Sequence, residues 1–238
     1  MLAAMLGVDV EIPRANESAR AMPGFAALPE GAERGVVVLH EIYGRQPEID
    51  RVVERLADAG YAAVEPDIFY EGSMLGCISR AVLTTATGEG PIAERIEDAR
   101  RWLCAQAELD SARVGVIGFC LGGGLALAVG PKGYGAVSTN YGEIPPLKVL
   151  RGSPPVIGCY GGRDRSFRGN AKRLPKRLAK VGVEAEAHLF PTVGHSFLTD
   201  GDHPAARVAT WPLMRITWDP EVAAEGWEKI LAFFDRTL

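Results

Sequence analysis

Two rhythms of apolar residues alternate along the chain. Short unbroken runs at 35–39, 62–66, 113–118 and 155–160 show no polar alternation, as strands do when helices cover both faces of a sheet. Between them, apolar residues recur at helical spacing. Ile49, Val52, Val53 and Leu56 fall at i, i+3, i+4 and i+7, one stripe of a 3.6-residue period, and Gly60 stands where a helix C-terminus favours glycine. Ile92, Ile96, Ala99 and Leu103 repeat the stripe before the third run, and Trp227, Ile230, Leu231 and Phe234 repeat it near the C-terminus. Run, helix, run is the signature of βαβ units and predicts a largely parallel sheet with helices on both faces. The segment 184–190 alternates instead, as an edge strand does.

Two stretches fit neither rhythm: 71–91, rich in Gly and Thr, and 200–220, which holds two tryptophans and three prolines. Both are expected to be irregular loops, of the kind that form lids or binding loops. Pro175 falls inside a basic helical stretch over 170–180. A proline lacks the N–H and clashes with the preceding turn, so the helix is expected to begin at Pro175. No internal repeat is visible.

Length and charge narrow the possibilities. A chain of 238 residues with apolar residues spread evenly reads as a single domain over 1–238. The net charge of −4, with both signs interleaved, offers no positive stripe for a phosphate backbone, so nucleic acid is not expected as a partner. No apolar run approaches the roughly 18 residues of a membrane span, and the start lacks a basic secretory n-region; a cytoplasmic protein is expected. The four cysteines, Cys77, Cys104, Cys120 and Cys159, form no CxxC pair, which argues for free thiols rather than a zinc or dithiol motif.

Chemistry enters at Gly118-Phe119-Cys120-Leu121-Gly122, directly after a buried run and before the helix-compatible 123–129. It has the spacing of the nucleophile elbow G-x-S-x-G, with cysteine for serine. The nucleophile of an elbow sits on a strained strand-to-helix turn, and glycine at the flanking positions lets backbone approach closely. A helix starting there directs its free N–H groups at the sulfur and at any oxyanion. Taken alone, the pentapeptide is equally a packing Cys in a Gly-rich turn. The order nucleophile, acid, base then continues: Asp164 follows Gly161-Gly162-Arg163 after the fourth run, and His195 stands in Gly194-His195-Ser196-Phe197 after the edge strand. Cys120 is expected to attack, His195 to act as base, and Asp164 to fix the imidazole tautomer. The first run ends in His40-Glu41-Ile42-Tyr43-Gly44, where an α/β-hydrolase places its second oxyanion donor; the backbone N–H groups of Ile42 and Leu121 are the expected pair. His40 reads as structural. Glu41 is unusual, because a carboxylate near a thiolate opposes its ionisation.

Together Glu41, the segment Tyr61-Ala62-Ala63-Val64-Glu65-Pro66-Asp67, the Cys120 elbow, Asp164 and Gly194-His195-Ser196-Phe197 resemble the dienelactone hydrolase family, from about residue 35 to the C-terminus. The resemblance implies an α/β-hydrolase fold, a Cys120–His195–Asp164 triad, and a Glu41 that contacts the resting thiol and assists its deprotonation when substrate arrives. It also implies that Tyr141, in Asn140-Tyr141-Gly142, lines the substrate pocket. The family's substrate is a cyclic enol-lactone whose carboxylate is held by arginines, one of them four residues after the histidine. That position here is Thr199, followed by Asp200, an acid that would repel an anion. Arg80, in the 71–91 stretch, is the alternative source of positive charge. The expected activity is hydrolysis of a small ester or lactone through a Cys120 thioester, by a monomer without metal or organic cofactor. The other readings are a general carboxylesterase or thioesterase for neutral acyl groups, and a ligand-binding homologue without turnover.

Overall fold

The computed structural model describes residues 6–16, 18–201, 208, 211 and 213–238. Its centre is one eight-stranded sheet in the order β1-β2-β4-β3-β5-β6-β7-β8. The strands are β1 (Val8–Ile12), β2 (Met22–Ala27), β3 (Gly35–Leu39), β4 (Ala62–Pro66), β5 (Val114–Phe119), β6 (Ala136–Asn140), β7 (Val156–Gly161) and β8 (Ala185–Phe190). Strands β3 to β8 run parallel, and β1 and β2 add an antiparallel edge. The described α-helices are α1 (Pro47–Asp58), α2 (Met74–Thr87), α3 (Pro91–Gln106), α4 (Leu121–Val129), α5 (Leu147–Leu150), α6 (Asn170–Ala179) and α7 (Pro220–Thr237). None of the described helices is long and apolar enough to cross a membrane.

The unbroken apolar strands bury both faces, as their composition requires. Val37, Leu39, Val64, Val116 and Val137 face a core closed by α2, α3, α4 and α6. Their neighbours Val36, Val38, Ala63, Ile117 and Phe119 face the core under α1 and α7. Each fully buried side chain of this size stabilises the fold by about 1.5–3 kcal/mol. Helix α1 ends as its glycine implies. Gly60 takes φ 87, its N–H donates to Ala57 O, and the Tyr61 N–H donates to Leu56 O, the paired bonds of a Schellman cap.

Two elements differ from the sequence expectation. The 71–91 stretch is mostly helix, not loop. Ser73 Oγ accepts the Gly76 N–H and Gly88 closes α2 in the left-handed region, so both ends are capped. The buried positions Cys77, Ala81, Thr84 and Thr85 keep helical spacing with small side chains. The hydroxyls of Ser79, Thr85 and Thr87 donate to carbonyls four residues back, which satisfies groups that otherwise compete with helix. The second difference is Pro175, which lies inside α6 rather than at its start. The buried stripe Ala171, Leu174 and Leu178 holds the helix through the proline, because packing on the core outweighs one missing backbone bond. In the 200–220 stretch, 215–219 carry no regular element and Pro220 opens α7. Residues 202–207, 209, 210 and 212 of that stretch lie outside the described residues.

Candidate active site

Cys120 is the single residue between β5 and α4, and it adopts φ 55, ψ −115. A non-glycine residue is held there only when its surroundings over-determine it. They do. A Cβ on Gly118 would lie 2.0 Å from Gly122 O, and one on Gly122 would lie 2.3 Å from Leu39 O, so strand, helix and the end of β3 close on the turn. The Cys120 N–H donates to Asn140 O at 3.0 Å, while Asn140 Nδ2 donates to Gly118 O and Thr139 Oγ1 to Gly123 O. The polar end of β6 thus braces the elbow.

Asp164 and His195 stand beyond β7 and β8, each strand delivering its loop to the same end of the sheet. The Asp164 carboxylate is fully buried. Its Oδ1 accepts the N–H groups of Ser166 and Phe167 at 2.9 and 3.1 Å, and its Oδ2 accepts His195 Nδ1–H at 2.7 Å. The imidazole is clamped between Tyr141, at 4.7 Å between ring centroids, and Phe167, at 5.4 Å. Its backbone is tied to the segment before α7, since His195 N–H donates to Met214 O and His195 O accepts the Thr217 N–H. With Nδ1 committed to Asp164, Nε2 is buried with no hydrogen-bond partner among the described residues. Burial, the largest influence, opposes the imidazolium, but the nearby Cys120 as thiolate and the hydrogen-bonded Asp164 carboxylate outweigh it and push the His195 pKa up to about 10.

Glu41 is buried beside this group. Its Oε1 accepts the Ser196 hydroxyl at 3.0 Å and the Thr199 hydroxyl at 3.5 Å. Burial, followed by the charges of Glu41 and Cys120, raises the pKa of the Tyr43 phenol. Burial and the same two charges also raise that of Tyr141, against an opposing bond from Thr199. His40 is enclosed, donates Nδ1–H to Glu41 O at 2.8 Å, packs edge-on against Phe69, and has its pKa lowered by burial. These contacts make it a neutral brace for the strand end.

Cys120, Ile42 and Leu121 open onto one cavity of about 380 Å³, whose walls include Val82 and Ala86 of α2. The structure therefore brings together Cys120, His195, Asp164, Glu41 and the two backbone positions read as oxyanion donors. Tyr141 contacts the imidazole and is not among the described cavity walls. Arg80 lies exposed on the outer part of α2 near Gly72, away from those walls. Asp200 is engaged by Arg51 at 2.6 Å and lies in a cleft between α1 and α7. Val82 and Ala86 escaped notice because the helix that carries them read as a loop. Of the other cysteines, burial raises the pKa of Cys104 and, far more, of Cys159.

A parallel sheet with an antiparallel edge, helices on both faces and a sharp glycine-flanked turn from β5 into α4 define an α/β-hydrolase fold. Comparison with known proteins narrows this further: the family model described as the dienelactone hydrolase family matches residues 22–238. The chain belongs to the dienelactone hydrolase family, and with it to the carboxylic ester hydrolases. It is 25% identical to the carboxymethylenebutenolidase of Rhodococcus opacus, over 90% of this chain and 85% of that protein. Among solved structures it resembles P91, a dienelactone hydrolase-like promiscuous phosphotriesterase from metagenomic libraries, with a TM-score of 0.76, 22% identity, and coverage of 98% and 99% of the two chains. An esterase from Pyrobaculum calidifontis has a TM-score of 0.64 at 17% identity, covering 96% of this chain and 84% of that one.

Proposed function

We propose that the protein hydrolyses a small ester or lactone through a thioester formed on Cys120. The observation that carries this reading is the buried Asp164–His195 hydrogen bond of 2.7 Å, which leaves Nε2 free next to a cysteine held at an elbow. Asp164 fixes the tautomer, so that Nε2 is the acceptor. Transfer of the thiol proton to Nε2 leaves an imidazolium between two anions, the Cys120 thiolate and Asp164, whose charges favour the protonated ring. Cys120 Sγ then attacks the carbonyl carbon, and the developing oxyanion takes hydrogen bonds from the Leu121 and Ile42 N–H groups. The imidazolium returns its proton to the leaving oxygen as the C–O bond breaks, releasing an alcohol or the opened end of a lactone. Water, deprotonated by His195, attacks the thioester, and the acid leaves with the thiol restored. Glu41, tethered by Ser196 and Thr199, assists deprotonation of the thiol. These steps use residues from one sheet, and 1–238 acts as a single unit.

Intact-mass spectrometry during turnover of p-nitrophenyl butyrate tests this directly. Wild type should accumulate an adduct of one butyryl group, and Cys120→Ala should show neither adduct nor turnover above background. An unmodified wild type that still turns over the ester would assign the nucleophile elsewhere.

A further inference from the structure

The cavity beside Cys120 carries information about the substrate that the family resemblance does not supply. Its walls include Val82 and Ala86 from α2, Ile144 and Pro145 from the segment before α5, Phe167, and Met214. Among the described residues, the one ionisable residue on these walls besides Cys120 is Glu143, which is exposed. No described lysine or arginine lines it. Pockets of roughly 300–1,000 Å³ take small molecules, and this volume of about 380 Å³ suits a short apolar group. Which end of the ester lies there follows from the chemistry. His195 must protonate the leaving group, and it is not among the described walls, whereas both proposed oxyanion donors are. The cavity therefore belongs to the part that stays on sulfur.

Resting on the reading of Cys120 as nucleophile, we infer that the substrate is an ester with an uncharged, apolar acyl group. Val82 and Ala86 set its length, and Glu143 discriminates against a carboxylate on it. Burial of each added methylene increases binding, whereas a carboxylate at the far end must leave water for apolar walls, and the exposed Glu143 adds a solvent-screened repulsion.

The test compares p-nitrophenyl acetate, butyrate and hexanoate with the p-nitrophenyl monoester of adipate, in wild type, Ala86→Trp and Glu143→Gln. In wild type, kcat/KM should rise about threefold per methylene and drop at least about tenfold from hexanoate to adipate. Ala86→Trp should reverse the order of acetate and hexanoate, and Glu143→Gln should narrow the adipate deficit severalfold. A flat acyl series, or adipate turned over as well as hexanoate, overturns the inference and leaves the hydrolase reading intact. Titration calorimetry of p-nitrophenyl hexanoate into Cys120→Ala reads the cavity independently of chemistry. Binding that disappears in Cys120→Ala/Ala86→Trp supports the inference even if wild type hydrolyses nothing, and the absence of binding overturns it.

Discussion

Asp164 and Glu65 are both carboxyl groups with no exposed surface, and the protein treats them in opposite ways. Asp164 receives three donors, two from backbone and one from His195. Neither oxygen of Glu65 has a hydrogen-bond partner among the described residues. Burial raises its pKa well above the ordinary range, and the nearby Asp50 carboxylate adds to the shift. Burying a carboxyl costs free energy unless its oxygens are satisfied. At Asp164 that cost is offset by bonds that also orient the His195 imidazole. At Glu65, on the α1 side of β4, no such set of donors stands among the described residues. Burial alone is therefore a poor guide to function; the donors arranged around a buried acid are a better one.

The largest expected effect lies at the satisfied acid. Asp164→Asn keeps the shape but favours the wrong imidazole tautomer, and kcat should fall about 10⁴-fold in steady-state ester hydrolysis. A loss below tenfold would place Asp164 with Glu65 as a merely tolerated group. Next comes the charge that His195 shares with Cys120. Cys120→Ala removes the first of the influences that raise the imidazole, leaving burial opposed by Asp164 alone, so its NMR titration midpoint should fall well below about 10. The sign for stability follows. An imidazole raised in the fold stabilises it fully below its unfolded pKa of about 6.5 and loses that contribution as pH climbs through about 10. Wild type should therefore lose stability across that window in urea titrations, and Cys120→Ala should lose less.

The contrast also shows how far the sequence can be read. The elbow was legible because close backbone approach admits only glycine at 118 and 122, and such a steric demand is local. Strands β3 and β4 were legible to the residue because burial on both faces leaves unbroken apolar runs. Strand β6 was not: Ser138, Thr139 and Asn140 are fully buried in a central strand, and their polarity is explained by the elbow they brace, a partner distant in sequence. Strand β2 was hidden by Pro23 and Gly24; it lies between β1 and β4, and Pro23 is tolerated near its start, before the pairing with β4 begins at Gly24. Helix α2 was hidden by small and hydroxylated residues, and with it went the cavity wall. Glu65 sat in plain view within a family segment, yet nothing in its neighbours revealed whether donors would meet it.

If Glu65 is a liability, replacing it should help. Glu65→Leu should raise stability by about 1–3 kcal/mol at neutral pH, measured by urea denaturation, with activity unchanged. A carboxyl whose pKa is raised on folding makes the fold less stable as pH rises from its unfolded value of about 4.3. The gain should accordingly shrink as pH falls toward that value. A Glu65→Leu variant less stable than wild type would mean that Glu65 has partners as effective as those of Asp164.

The smallest effect concerns Asp50, which links Glu65 to the surface. Its two oxygens accept from Arg45 at 2.8 and 3.1 Å, and Arg45 also pairs with Asp9 at 2.7 Å. Asp50→Asn therefore does two opposing things: it weakens a partly exposed ion pair, worth about 0–1 kcal/mol, and it relieves the carboxylate beside Glu65. In wild type the two should nearly cancel. With Glu65→Leu already in place there is no repulsion to relieve, so the same change should cost the full ion pair. A double-mutant cycle should then show a coupling of about 0.5 kcal/mol, with Asp50→Asn more harmful in the Glu65→Leu background. A coupling of zero would mean that Asp50 does not act on Glu65 and that burial alone raises its pKa.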